Sequence, residues 1–157
     1  YASGLIHHEV SMLKLAKAIV ELYPGINKDL LYGGIILHDL GKLTELSGPI
    51  TTEYTTKGKL LGHISIIQTD IVEAAKKHGI NSEIVTLLQH MVLSHHGKFE
   101  YGSPVLPHIL EAELLYLIDN LDSRITMINK ALSTVEPQSF SNKIISLEGR
   151  TFYNHNK

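Results

Sequence analysis

Residues 35–42 read Ile35-Ile36-Leu37-His38-Asp39-Leu40-Gly41-Lys42, an apolar helical run interrupted near its end by an imidazole and a carboxylate. Burying either group without a partner is costly, so a core helix that carries both needs an explanation. Five further residues of these two types lie in or beside apolar, helix-like stretches: His8, His63, His95, His96 and Asp119. A metal ion is the economical explanation, because it binds histidine nitrogen and carboxylate oxygen together.

Composition narrows the class of protein without naming an activity. The 157 residues suit one domain with a real core, and no apolar run is long enough to span a bilayer. The formal net charge of -2 gives no global basic field of the kind that marks many nucleic-acid-binding proteins, although a local basic lip or a bound metal can serve the same end. The absence of cysteine excludes disulfides and thiolate metal sites and favours a cytoplasmic setting. The ten histidines are the compositional outlier.

Helical periodicity dominates the chain and predicts an all-α architecture. The segment 44–56 differs, because it is rich in Thr and Gly and contains Pro49, and it predicts a short hairpin or an ordered loop. The tail, 134–157, is polar and weakly patterned, with one helical turn expected around 143–147. The predicted helices cover residues 3–23, 27–40, 57–78, 82–96 and 107–133 of a single domain, 1–157.

The two paired motifs have a geometry suited to a shared site. Adjacent residues on a helix diverge by about 100°, so His38 and Asp39 can reach one pocket only from two angles at a helix end. A carboxylate has two oxygens and can bridge two metals, whereas the imidazole beside it binds one. His95-His96 repeats the design at the end of another predicted helix. Gly41 and Gly97 follow closely, which lets the backbone turn away and leaves room for substrate.

The ordered set His, His-Asp, His, His-His, Asp resembles the HD-domain metal-dependent phosphohydrolases, and the match covers most of the chain. The segments 58–64 and 93–104, Gly-Lys-Leu-Leu-Gly-His-Ile and Leu-Ser-His-His-Gly-Lys-Phe-Glu-Tyr-Gly-Ser-Pro, are most similar to the HD domain of YhaM-type 3′→5′ exoribonucleases. The resemblance implies a compact helical bundle. It also implies an OB-fold nucleic-acid-binding domain ahead of the HD domain, which would lie before Tyr1.

The resemblance also implies a set of site residues. One metal would be held by His8, His38, Asp39 and Asp119. Asp39 would bridge to a second metal, held by His63, His95 and His96. A bridging hydroxide would then attack phosphorus, with Asp39, Lys42 and Asp119 as the catalytic residues and Lys42 touching a phosphate. Asp122 would orient a ligand or a water. Ligands without sulfur suit Mn²⁺, which the family favours, and leave Fe²⁺, Zn²⁺ and Ni²⁺ open.

Several assignments stay open at this point. His7 competes with His8 as the first ligand, although the family register favours His8. Glu9 stands where the motif usually has a small hydroxyl residue. His90 is expected to be a hydrogen-bonded helix histidine rather than a ligand. Substrate contacts are expected from Lys42, Lys98, Tyr101 and Ser103. The rings of Phe99 and Tyr101 either stack on a base or a sugar or pack over the preceding helix.

Three functions are consistent with these residues. The first is hydrolysis at the 3′ end of single-stranded RNA or DNA with release of 5′-mononucleotides. The second is hydrolysis of small nucleotides by a cyclic-dinucleotide phosphodiesterase, a nucleotidase or a dNTP phosphohydrolase. The third is a non-catalytic domain that binds nucleotide or a protein partner, which predicts lost ligands, and none is missing. No membrane partner is expected. The apolar helix faces leave an oligomer open, although core burial explains them as well.

Overall fold

The helical periodicity of the sequence is realised as six α-helices in the computed structural model, which describes residues 2–48, 52–80 and 82–156. A two-stranded antiparallel hairpin pairs β1 (Leu46–Ser47) with β2 (Glu53–Tyr54), so the predicted all-α architecture and the hairpin are both confirmed. Pro49 of the predicted hairpin lies outside the described residues. The helices are α1 (Ala2–Leu22), α2 (Lys28–His38), α3 (Lys42–Glu45), α4 (Thr56–His78), α5 (Ser82–Ser94) and α6 (Leu110–Leu132).

Side-chain caps and glycine set several helix ends. The Oδ1 atom of Asn27 caps α2 by accepting the backbone N–H of Leu30 at 3.1 Å. Thr55 caps α4 by accepting the N–H of Gly58 at 2.9 Å, and Gly79 ends that helix in the left-handed conformation that favours glycine. These caps explain why the observed boundaries fall close to those the sequence predicts.

Three helix ends differ from the prediction. The helix α2 ends at His38 rather than near Leu40, and α5 ends at Ser94 rather than near His96, so both paired motifs lie where regular helix stops. The helix α6 begins at Leu110, so Pro107 precedes it instead of occupying its first turn. The four-residue helix α3 and a 3₁₀ turn at Phe99–Tyr101 were not predicted, whereas the expected turn in the tail is present at Ile145–Leu147.

A hydrophobic core packs α1, α2, α5 and the start of α6 together. Gly34 allows this close approach, because a Cβ there would collide with the side chain of Met91. The fully buried members of the core are Met12, Ala16, Leu31, Ile35, Met91, Ala112, Leu115 and Ile118. A second cluster, Ile67, Ile71 and Val92, packs α4 against α5. The two clusters fix the helices that end on His38-Asp39 and His95-His96.

The helix α4 is kinked at Gly62, whose φ of 70° and ψ of 156° are not helical. This region of backbone space is essentially restricted to glycine, because a Cβ would clash with the main chain. The sequence predicted one unbroken helix across this position, because apolar residues continue on both sides of the glycine. The kink re-aims the residue that follows it, His63.

The chain divides into two compact units, Tyr1–Asp119 and Asn120–Lys157, with the boundary inside α6. Within the second unit, Arg124 pairs with Glu148 at 3.3 Å, and isolated bridges join Phe140 to Tyr153 and Ile144 to Arg150. Among the described residues, no helix combines the length and the apolar character needed to cross a bilayer. The single-domain organisation stays a prediction.

Candidate metal centre

Five helices bring the seven predicted ligand residues together in the first unit. Two groups of three each place their ligand atoms within 4.8 Å of one another: His8 with His38 and Asp39, and His63 with His95 and His96. The seventh residue, Asp119 on α6, lies beside the first group, with Oδ1 3.1 Å from Nε2 of His8. His7 is exposed, so the structure turns His8 rather than His7 towards the other ligands.

Asp39 belongs to the first group and also faces the second, because its two oxygens have different partners. Its Oδ1 atom is 3.7 Å from Nε2 of His63 and 3.8 Å from Nε2 of His95. Its Oδ2 atom is 3.5 Å from Nε2 of His38. One carboxylate therefore presents an oxygen to each group, which is the arrangement that a bridging ligand requires.

Backbone carbonyls fix the tautomers of two of these histidines. The Nδ1–H of His38 donates to the carbonyl of Ile35 at 2.6 Å, and the Nδ1–H of His95 donates to the carbonyl of Val92 at 2.7 Å. A carbonyl only accepts hydrogen bonds, so in both rings Nδ1 carries the proton. When the ring is neutral, the lone pair of Nε2 is left facing Asp39.

Several buried polar atoms at the centre of the site have no hydrogen-bond partner. They are Nε2 of His38, Oδ1 of Asp39 and Nε2 of His63. Buried polar groups are nearly always hydrogen-bonded, so a convergent set of unsatisfied acceptors needs an explanation. Acceptors facing each other at 3.5–3.8 Å are stabilised by a cation between them, and imidazole nitrogen with carboxylate oxygen is a donor set that divalent transition metals bind. The residues therefore fit a metal site.

The protonation states at the site favour metal binding. Burial raises the pKa of Asp39, but the charges of His38 and Lys42 outweigh burial and bring this pKa to about 2. Burial, reinforced by the charges of His38 and His96, lowers the pKa of His95 to about 3. Burial and the charge of His63 also lower the pKa of His96. Near neutral pH the carboxylate is thus ionised and these imidazoles are neutral, as metal ligands must be.

Two acidic residues beside the first group, Asp119 and Glu9, differ in the direction of their pKa shifts. Burial raises the pKa of Asp119, but the hydrogen bond from His8 and the charge of His38 have the larger combined effect and lower it. In contrast, burial raises the pKa of Glu9, and its Oε1 atom is buried without a hydrogen-bond partner. Glu9 thus adds a carboxyl group of higher pKa than usual beside the first group.

Lys42 contacts the centre through Asp39. Its Nζ atom lies 2.6 Å from Oδ2 of Asp39, a short charge-assisted hydrogen bond from the start of α3. Gly41, just before it, has no room for a Cβ because the carbonyl of His63 packs there. Gly41 therefore allows the backbones of the two segments to pack closely. The contact of Lys42 with a phosphate stays a prediction.

The loop after His95-His96 exposes two aromatic rings. Gly97 has a φ of 74° and packs against the ring of Tyr116, which leaves no space for a side chain. Phe99 and Tyr101 are 62% and 53% exposed, which leaves much of each ring open to solvent, and the choice between stacking on a base and packing over the preceding helix stays a prediction. The Nζ atom of Lys98 lies 5.4 Å from the centre of the Tyr101 ring, a cation–π contact.

The other predicted contact of this loop, Ser103, is buried. Its hydroxyl contacts two main-chain acceptors, the carbonyls of Val105 at 2.7 Å and of Leu93 at 3.1 Å. A hydroxyl has one proton to donate, and here main-chain carbonyls take it. This geometry makes Ser103 a residue that fixes the loop, and it does not favour the predicted contact with substrate.

Two residues outside the ligand set follow the sequence predictions to different extents. His90 accepts a hydrogen bond at Nε2 from the backbone N–H of His108 at 2.9 Å, which confirms that it is a hydrogen-bonded helix histidine. Asp122 is buried on α6 in the second unit, and its proposed role in orienting a ligand or a water stays a prediction.

Sequence reasoning missed Glu45, a buried acid at the end of α3. Both of its oxygens approach Nδ1 of His63, Oε2 at 3.2 Å and Oε1 at 3.3 Å. Nothing in its sequence neighbourhood marks it, because it lies in a stretch rich in Thr and Gly that predicts a loop. Only the unpredicted helix α3 and the kink at Gly62 bring it to the ring.

Comparison with known proteins identifies similar sequences. The HD domain family matches residues 5–124. Proteins named 3′-5′ exoribonuclease YhaM from Geobacillus sp., Bacillus pumilus and Bacillus subtilis are 58%, 57% and 55% identical over 153 residues, which is 98% of this chain. The chain spans about half the length of these relatives: 47% of the first and 49% of each of the other two. No solved structure matches significantly.

Proposed function

Because this chain belongs to the HD domain family, we propose that its seven-residue centre binds two divalent metal ions and hydrolyses phosphodiester bonds at the 3′ end of RNA. The similar proteins are named 3′-5′ exoribonucleases, and two of them are 57% and 58% identical to this chain over the 153 residues that align. The chain spans half of their length, so the activity of those whole proteins comes to it as a proposal. A cytoplasmic location fits such a substrate and is part of the same proposal.

The position of Asp39 is the observation that carries the proposal. Its two oxygens face the two groups separately, and the nearest imidazole nitrogens lie 3.5–3.8 Å away. In the proposed site, His8, His38, Asp39 and Asp119 would hold one metal. His63, His95 and His96, together with Asp39, would hold the second. Three or four protein ligands for each ion leave positions open for water and for a phosphate oxygen.

The chemistry divides between the metals and the protein. Two bound metals supply an activated water and offset negative charge on the phosphate. The protein holds the ligands in the required protonation states and adds a cation, Lys42, which we propose contacts a phosphate oxygen. Phe99 and Tyr101 offer exposed rings on which the last bases can stack, with Lys98 beside them. Ligands without sulfur suit Mn²⁺, with Fe²⁺, Zn²⁺ and Ni²⁺ as alternatives.

The substrate is tested by offering several nucleotides to the Mn²⁺-loaded chain. We expect 5′-labelled oligoribonucleotides to shorten stepwise from the 3′ end, with 5′-mononucleotides as products. Short oligonucleotides at low salt are the suitable substrates, because a chain with a net charge of -2 has little electrostatic affinity for long RNA. Turnover confined to cyclic dinucleotides or dNTPs would identify the small-nucleotide enzyme instead, and metal binding without any turnover would favour a non-catalytic domain.

The bridging role of Asp39 is tested by Asp39→Ala. We expect this variant to bind at least one fewer Mn²⁺ and to lose about 10³-fold or more in hydrolysis, since charge stabilisation by a metal is worth several kcal/mol. The matched control is Asp70→Ala, which removes an exposed carboxylate from α4. Metal content is measured by equilibrium dialysis and elemental analysis. If Asp39→Ala keeps both metals, Asp39 is not the bridge.

A further inference from the structure

Glu45 is a buried carboxylate that contacts His63, a ligand of the proposed second metal, at both its backbone N–H and its ring Nδ1. Its Oε1 atom accepts the backbone N–H of His63 at 3.1 Å. Its Oε2 and Oε1 atoms lie 3.2 and 3.3 Å from Nδ1 of the same residue. An ionised carboxylate only accepts hydrogen bonds, so a proton on Nδ1 of His63 would satisfy this contact and leave Nε2, the nitrogen that faces Asp39, as the acceptor.

Glu45 gives His63 the Nδ1 acceptor that His38 and His95 obtain from a carbonyl of their own helix. His38 and His95 each donate Nδ1–H to the carbonyl three residues earlier, Ile35 and Val92. His63 comes directly after the kink at Gly62, where the backbone is not helical. Its partner is a side chain from another element, and that side chain also accepts its backbone N–H.

The backbone of Glu45 is fixed from several sides. Its N–H donates to the carbonyl of Gly41 at 2.9 Å, and its own carbonyl accepts from the N–H of Thr55 at 2.9 Å. Gly58 packs so closely on the same carbonyl that a Cβ would collide with it. The residue is only 8% exposed, so its side chain is packed in place before any metal binds. A rigid, buried acceptor of this kind can select one tautomer of its partner.

We propose that Glu45 is the positioning residue that holds His63 in the Nδ1–H tautomer and thereby makes its Nε2 available to the second metal. Carboxylates that accept from the outer nitrogen of a metal-binding histidine fix its tautomer and raise its basicity. The proposal rests on the dinuclear centre proposed above. Under this proposal, the metal affinity of the site formed by His63, His95 and His96 depends on Glu45.

The decisive variant is Glu45→Gln. The amide oxygen can still accept the backbone N–H of His63, but the amide nitrogen then faces Nδ1 and donates to it. This favours the Nε2–H tautomer, which cannot bind a metal through Nε2. We expect Mn²⁺ affinity at one of two sites to fall about 10–100-fold, the range found for such partners. Glu45→Asp, which keeps the carboxylate, should recover part of the loss. Glu53→Gln, an exposed acid of the hairpin that follows α3, is the matched control.

Two measurements separate this inference from the function beneath it. Calorimetric titration with Mn²⁺ counts sites and affinities, and long-range ¹H–¹⁵N NMR of the metal-free protein reports the tautomer of His63. The inference is overturned if wild-type His63 is the Nε2–H tautomer, a result that needs no folded variant. It also fails if Glu45→Gln changes neither tautomer nor affinity. If the wild type binds no Mn²⁺ at all, the dinuclear function fails, and the affinity role of Glu45 fails with it, whatever the tautomer.

Discussion

At the scale of single residues, the site is defined by which atoms carry protons. His38 and His95 donate from Nδ1 to main-chain carbonyls. The pKa of His95 is lowered to about 3 and that of Asp39 to about 2, so near neutral pH a neutral imidazole faces an ionised carboxylate. The sequence predicted the identity of these residues, because an imidazole or a carboxylate at the end of an apolar helix is conspicuous. It could not predict their partners, since a backbone carbonyl has no signature in a sequence.

One residue outside the centre gives a prediction about pH. Burial, followed by the charge of His108, lowers the pKa of His90. The folded protein therefore keeps His90 neutral where the unfolded chain begins to bind a proton, so its contribution to stability is present above about pH 6.5 and is lost as the pH falls. The variant His90→Gln keeps an acceptor for the N–H of His108 and cannot titrate. We expect it to lose less stability than wild type between about pH 7 and about pH 5.

Urea unfolding at several pH values checks this expectation. His155→Gln is the control, because His155 is exposed in the tail. Other histidines with lowered pKa values contribute to the pH dependence of both proteins, so the informative quantity is the difference between variant and wild type. An identical pH dependence would show that the hydrogen bond from His108 to His90 does not titrate in this range.

At the scale of elements, the kink of α4 is the feature on which the second metal group depends. A Cβ at Gly62 would lie 4.0 Å from its nearest neighbour, Oε1 of Glu45, so there is space for alanine. The backbone conformation is the obstacle, because residues other than glycine pay about 1–3 kcal/mol there. We expect Gly62→Ala either to lose this amount of stability or to straighten the helix and weaken Mn²⁺ binding by the group that includes His63.

Denaturant unfolding and metal titration together test the kink. The control is Gly4→Ala, a glycine in α1 with open space around it and a helical backbone, where alanine should stabilise the fold by about 0.5–1 kcal/mol. A variant at Gly62 with unchanged stability and unchanged Mn²⁺ binding would mean that the kink does not position His63.

The elements also show where sequence reasoning succeeds and where it stops. The long helices were predicted within about three residues of their ends, because caps such as Asn27 and stops such as Gly79 have local signatures. The helix α3 has four residues, too few for a 3.6-residue period to be visible. The kink at Gly62 was missed since a lone glycine inside an apolar run is compatible with an unbroken helix. Glu45 was missed because it depends on both.

At the scale of the whole molecule, metal binding should stabilise the fold. The proposed ligands come from five helices, and binding to the folded state alone adds about 2.7 kcal/mol at a free concentration near 100 times Kd. For a chain of this size we expect Mn²⁺ to raise Tm by about 5–10 °C, and a chelator to reverse the shift. Scanning calorimetry measures this shift. Asp39→Ala should show a much smaller one, and an undiminished shift would place the stabilising metal elsewhere.

The overall charge explains why composition pointed away from nucleic acid. A net charge of -2 gives no sign of a polyanionic substrate, and the cations near the site, Lys42 and Lys98, are few. In the proposed site the metals supply the missing positive charge, and a metal contributes nothing to a count of lysine and arginine. The order of the histidine and aspartate residues indicated a metal site, whereas the net charge did not.

The rings of His38, His95 and His63 each have a hydrogen-bond acceptor at Nδ1, but these acceptors differ in whether a mutation can remove them. The acceptors for His38 and His95 are main-chain carbonyls. Every amino acid has a main-chain carbonyl, so no substitution at these positions removes the acceptor. The acceptor for His63 is the side chain of Glu45, which a change of its codon can remove. Under the proposed role of Glu45, a single nucleotide change at that codon would therefore lower the affinity of one metal position while every metal ligand is retained.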